Sequence, residues 1–158
     1  MDNLFPGYIR LLYIEAGHDT QPICSRLVAT NLQSSPAYEA LSYTWGTVEK
    51  SSVITCNGLP LHVTQNLYDA LRYLRRPDCE RTMWVDAICI NQANNQERTA
   101  QVGMMTDIYA KAVDVIVWLG EEKPEDKHAF LLLRHFRDIF STQGYFEYDP
   151  FEEPGVTR

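Results

Sequence analysis

The chain is short of basic charge, of paired cysteines and of long apolar runs. Its 14 lysines and arginines are outnumbered by 21 aspartates and glutamates, giving a formal net charge of −7 over 158 residues. Apart from the short cluster Arg72, Arg75 and Arg76, the basic residues are scattered. Nucleic-acid binding needs a concentrated basic face to displace counterions, so the balance argues against a nucleic-acid partner. A small anionic ligand in a local pocket stays open. The four cysteines (Cys24, Cys56, Cys79 and Cys89) form no CxxC pair, which argues against a zinc site of the usual spacing. Apolar stretches such as Val115 to Leu119 and Ala129 to Leu133 are far too short to span a bilayer. No secretory signal is visible: Asp2 comes early, and Arg10 interrupts the run Tyr8 to Ile14. Reduced thiols in a cytosolic or nuclear setting are the expectation, with the cytoplasm as the expected location. GxSxG, Walker and HExxH motifs are missing too, against lipases, P-loop NTPases and zinc proteases.

What is present is a globular composition, 45% hydrophobic and 22% charged, of a size that fits one domain over residues 1–158. Tyr8 to Ile14 and Ile23 to Thr30 mix β-branched, aromatic and apolar residues around the turn signals Gly17 to Pro22, and read as strands. A third strand covers Tyr38 to Tyr43. Val53 to Cys56 and Leu59 to Val63 flank Asn57-Gly58, the dipeptide of a type I′ hairpin. Pro60 cannot donate to a ladder, so its strand belongs at an edge or turns that residue outward. Leu67, Ala70, Leu71 and Leu74 have helical spacing, with Thr64 or Asn66 as cap and Pro77 as stop. Thr82 to Ile90 reads as a buried parallel strand interrupted by Asp86. Asn95 to Ala112 follows as a helix with Val102, Met105, Ile108, Tyr109 and Ala112 on one face. Val113 to Leu119 reads as another buried strand, and a third helix opens at Glu121 to Asp126, with Phe130, Leu133, Phe136 and Phe140 along it. The acidic, aromatic end after Gln143-Gly144 suggests a piece excised from a longer protein.

This order implies an α/β fold: a mainly parallel central sheet flanked by helices in a three-layer sandwich, with an added β-hairpin. Ligands then belong beyond the carboxyl ends of the strands. Three polar clusters fall there. The first contains Ser42, Tyr43, Trp45 and Gly46; the second runs from Asp86 through Asn91 and Gln92 to Glu97; the third holds Gly120, Glu121 and Glu122. Aromatic rings can stack a base or nicotinamide, and amides can hold ribose hydroxyls. A carboxylate can stabilise the oxocarbenium-like transition state of N-glycosidic cleavage. No metal and no cofactor is needed.

The words Tyr38-Glu39-Ala40-Leu41-Ser42-Tyr43-Thr44-Trp45-Gly46 and Trp84-Val85-Asp86-Ala87-Ile88-Cys89-Ile90-Asn91-Gln92 resemble the opening and central signatures of HET (heterokaryon incompatibility) domains of filamentous fungi. Glu97, Gln101, Met105, the run Ile108 to Ala112 and the run Val115 to Gly120 are similar to the continuation of that pattern. The resemblance is strong over 38–122 and looser over 8–31. It implies a death-triggering domain in non-self recognition, answering to an upstream sensor and working by self-association. It also implies a distant TIR-like or flavodoxin-like relationship, and with it cleavage of NAD, as substrate, at the nicotinamide–ribose bond. In TIR enzymes a glutamate after the third core strand is catalytic, which by element order falls near Glu121, Glu122 or Glu125. Glu97 and Glu122 rank first as catalytic candidates, with Asp86 and Glu121 behind them. Ser42, Tyr43, Trp45, Gly46, Asn91, Gln92 and Gly120 are the substrate-binding candidates.

Structural readings compete. Glu97 can simply complement a helix N-terminus, worth about 0.3–1 kcal/mol. Asp86, inside an apolar run, needs a partner such as Arg98 or a backbone amide. Trp84 and Trp118 fit a core better than a ligand platform, and Trp45, beside Gly46, is the exception. Cys89 has no histidine near it in sequence and reads as a buried thiol. The competing function is a non-catalytic self-assembling module that recruits a death executor.

Overall fold

The computed structural model describes residues 4–46 and 49–121. A compact unit spans Met1–Gly120, and a second covers Glu121–Arg158. The helix expected from Glu121 onward, with Phe130 to Phe140, lies outside the described residues, as does Glu122.

Among the described residues, seven strands form one mixed sheet. They are β1 (Tyr8–Ile14), β2 (Cys24–Asn31), β3 (Glu39–Tyr43), β4 (Ser52–Cys56), β5 (Leu59–Val63), β6 (Arg81–Trp84) and β7 (Asp114–Trp118), in the order β5-β4-β2-β1-β6-β3-β7. The expected mainly parallel sheet flanked by helices is wrong. β1 runs antiparallel to both β2 and β6, and β4 antiparallel to β5, whereas β2/β4, β3/β6 and β3/β7 are parallel. The physical reason lies in the connections. Residues 15–23 and the dipeptide Asn57-Gly58 are too short for a crossover, so each joins antiparallel neighbours. These hairpins build the middle and one flank of the sheet rather than decorating a parallel core.

β1 is central, and Ile9, Leu11, Leu12 and Ile14 are fully buried. Asn57 (φ 52°) and Gly58 (φ 75°) both adopt the left-handed region that the tight β4–β5 turn requires. Pro60 sits on β5, an edge strand. Helix α1 (Gln65–Leu74) is capped by the Thr64 hydroxyl, which accepts from the Leu67 N–H. It buries Leu67, Ala70, Leu71 and Leu74.

Three local expectations need correction. The apolar run 82–90 is not one strand: it breaks after Trp84, and Asp86–Cys89 forms a helical turn, α2. A continuous apolar run cannot by itself separate these alternatives. The long helix 95–112 is two, α3 (Asn95–Gly103) and α4 (Met105–Lys111), with Met104 between them at φ −97°, ψ −4°. Within α3, Val102 is exposed and Gln101 is buried, its side-chain amide donating to the Tyr8 carbonyl at 2.8 Å. Finally, β7 is an edge strand, with Val117 62% and Leu119 77% exposed.

Candidate functional site

The three parallel strands β6, β3 and β7 are neighbours; the segments after β3 and β6 are bonded to each other, and α1 links the segment after β3 to Trp118, the last residue of β7. After β3, Trp45 donates its indole N–H to Asp86 Oδ2, after β6, at 2.9 Å. Asn66, in the first turn of α1, donates to the Thr44 carbonyl at 2.6 Å and accepts from the Trp118 indole at 2.9 Å. Asp86 Oδ1 accepts from the Ala87 N–H at 2.7 Å, so both carboxylate oxygens have N–H donors. Partial burial pushes the Asp86 pKa up, opposed by the Trp45 and Ala87 hydrogen bonds. Tyr43 is pushed up as well, by burial first and by the charge of Asp86 second.

Beside this pair lies a cleft of about 140 Å³. Tyr43, Trp45, Gly46, Ala87 and Gln92 form part of its lining. Among the described residues, Lys50, His62, Val63, Thr64 and Leu67 line it as well. Gln92 is anchored by its side-chain amide, which donates to the Asp86 carbonyl at 2.9 Å. Trp45 is 48% exposed, whereas Trp84 and Trp118 are buried. The cleft is comparable to an engineered apolar cavity of ~150 Å³ that takes up benzene. It therefore suits one aromatic ring, with any larger ligand continuing outside.

The remaining candidates divide. Ser42 stays in the β3 ladder, opposite Val117 of β7. Gly120 (φ 109°) and Glu121 follow β7 and are not in the cleft lining. Glu97 belongs elsewhere. Its carboxylate accepts from the Arg10 guanidinium at 2.6 and 3.1 Å, and from the Asn91 N–H at 2.7 Å. Arg10 also donates to the Cys89 carbonyl at 3.0 Å. Both side chains of the ion pair are only 6% exposed. The Arg10 hydrogen bond, helped by the Asn91 amide, holds the Glu97 pKa below the usual carboxylate range against the pull of burial. Glu97 thus fastens the α2–α3 segment to β1, and Asn91 serves the same latch.

The Arg72/Arg75/Arg76 cluster does not form an anion site either. Arg75 donates to the carbonyls of His18, Gln21 and Pro22, and Arg76 pairs with Glu39 at 3.6 Å. Cys89 is fully buried, its thiol pushed up to about 12 by burial, which leaves it inert as a nucleophile at neutral pH. Among the described residues, no group of three His, Cys, Asp or Glu side chains is placed to hold a metal ion. No helix among them is long and apolar enough to cross a membrane.

Sequence reasoning missed Lys50, His62, Thr64, Leu67 and Asn66 as parts of this region. Lys50 precedes the hairpin, His62 is one residue in an edge strand, and the others read as helix cap and stripe. No local pattern joins them to Trp45.

Comparison with known proteins places the chain. The family model for heterokaryon incompatibility proteins (HET) matches residues 38–145, more than half the chain. The chain belongs to the HET family. It is 35% identical over 127 residues to heterokaryon incompatibility protein 6, OR allele, of Neurospora crassa. That alignment covers 72% of this chain and 19% of the relative, so the chain spans about a fifth of the relative's length. No solved structure matches.

Proposed function

We propose that this chain is the effector module of a fungal non-self recognition protein, acting in the cytoplasm to trigger cell death by cleaving NAD. An upstream sensor and self-association bring it into action. The reading is carried by one observation: the Trp45–Asp86 hydrogen bond, which fixes a partly buried carboxylate beside a ring-sized aromatic cleft. In this reading the nicotinamide ring enters the cleft against Tyr43 and Trp45, where π faces favour its positive charge. Gln92 bonds the ligand's polar edge. The C–N bond to ribose breaks with its electron pair leaving on nicotinamide, and a water oxygen bonds to the ribose carbon. The water's proton passes to Asp86, whose raised pKa suits a base, and from there to solvent. Nicotinamide, ADP-ribose and a proton result. Glu97, held by Arg10, has no part in the chemistry; Asp86 takes the role.

Incubating the full chain at high concentration with NAD tests this. Wild type releases nicotinamide, and Asp86→Asn lowers the rate by about 10²-fold or more while the fold is retained. Undiminished release in Asp86→Asn would sink the assignment.

A second reading has its own observation. Val115 and Val117 of the edge strand β7, with Val113 and Leu119 flanking it, present an exposed apolar row, the kind of surface that proteins ordinarily blunt. In this reading the module kills by assembling and recruiting an executor. Cell death that survives Asp86→Asn but disappears with Val117→Lys selects it over the enzyme.

A further inference from the structure

We infer that Lys50 and His62 form the phosphate-recognition subsite of the cleft, so that its ligand is a nucleotide bound ring-inward with its phosphate at the mouth. This rests on the nucleotide reading above and names the part of the ligand that reading leaves unplaced. A cleft of about 140 Å³ accommodates one ring, so a ribose and any phosphate must lie outside it. The protein carries a net −7, yet among the described residues the cleft lining includes two basic side chains and no carboxylate. Neither the Lys50 nor the His62 side chain makes a hydrogen bond or ion pair among the described residues, and both are exposed.

The site is asymmetric. Asp86 is hydrogen-bonded to Trp45 and adjoins Ala87, so the carboxylate belongs with the aromatic part of the lining. The two bases come from other segments, Lys50 ahead of β4 and His62 on β5. A ligand with a cationic ring and an anionic tail matches that division; a neutral ring or a free anion matches only half of it. The adjoining α1 adds to the trend, because its first turn contains no acidic residue, whereas α3 has Glu97 and α4 has Asp107 there.

Rapid-mixing measurement of the binding of three ligands by the full chain at low salt, completed before turnover, tests the subsite: nicotinamide riboside, nicotinamide mononucleotide and NAD. Wild type binds both phosphate-bearing ligands more tightly than the riboside. In the Lys50→Ala/His62→Ala double variant that advantage falls about tenfold, and riboside affinity is unchanged. Riboside binding with no added affinity for the phosphorylated forms overturns the subsite and leaves the nucleotide reading intact. An equal loss for all three ligands in the variant also overturns it, since the two residues then shape the ring cleft. Absence of binding by any of the three to wild type removes the nucleotide reading and the subsite together.

Discussion

The two halves of the sheet are built by different rules. On one side, β5, β4, β2 and β1 are assembled from two hairpins: β1 and β2 pair along Tyr8–Ile14, and β4 and β5 pair around Asn57-Gly58. On the other, β6, β3 and β7 are parallel, and every pairing joins segments distant in sequence. The hairpin half supplies the fully buried centre of the core through Ile9, Leu11, Leu12 and Ile14. The parallel half directs three loop-bearing carboxyl ends toward one region, where Trp45 meets Asp86 and Asn66 bridges Thr44 to Trp118. The contrast teaches that parallel strands are the means of gathering distant polar groups, since their like ends lie side by side. Hairpins alternate direction and provide the frame.

The largest effect is expected where the two halves are joined. Glu97→Ala leaves Arg10, on β1, buried without its carboxylate and should destabilise the fold by about 3–5 kcal/mol in denaturant titration. A loss below ~1 kcal/mol would mean that the halves hold together without the latch. The pH dependence follows from the same pair. The lowered Glu97 pKa adds stability above the ordinary carboxylate value of about 4.3, and that stability is lost as pH falls through the folded pKa. Asp86 has the opposite sign: its raised pKa favours the protonated form, so its contribution declines as pH rises through the folded pKa. Glu97→Gln should therefore flatten the acid limb of stability, and Asp86→Asn should not.

A smaller effect is expected within the parallel half. Asn66→Ala removes the acceptor of the Trp118 indole and the donor to Thr44, at about 1–3 kcal/mol. Trp118 is buried, so its N–H would lose its partner away from water. Reduced protection of the Trp118 indole proton in hydrogen exchange would accompany the loss; unchanged protection would show that the loops are held by other means. The smallest effect belongs to the hairpin half. Arg26 pairs with Glu80 at 2.8 Å and lies 3.9 Å over the Tyr13 ring, but both partners of the ion pair are largely solvated. Arg26→Ala should cost under ~1 kcal/mol by thermal unfolding. A larger cost would erase the distinction between a frame held by burial and a junction held by charge.

Legibility followed the same division. The hairpin half could be read nearly residue by residue, because Asn57-Gly58, Pro60 and the turn signals Gly17 to Pro22 act over a few positions. The α1 stripe and its Thr64 cap were equally local. Elsewhere the local signal failed for identifiable reasons. The apolar run 82–90 hid a helical turn, since a buried strand and a buried turn both exclude polar residues. Gly103-Met104 split a helix whose stripe continued across the break. β7 has a composition suited to burial but occupies an edge, and nothing in five residues states which neighbours a strand will have.

The candidate site was legible in its signatures and not in its membership. Tyr43, Trp45, Gly46 and Gln92 line the cleft and Asp86 bonds Trp45 beside it, while Glu97 pairs with Arg10 instead and accepts from the Asn91 N–H. By itself the sequence determined the composition, the hairpins, the capped amphipathic helix and the signature words of the family, because each depends on contacts within a few residues. Only the tertiary structure decided that Asp86 bonds Trp45 and Glu97 bonds Arg10. Partner choice among carboxylates is set by separations across 41 and 87 positions of chain, and no local pattern encodes those distances.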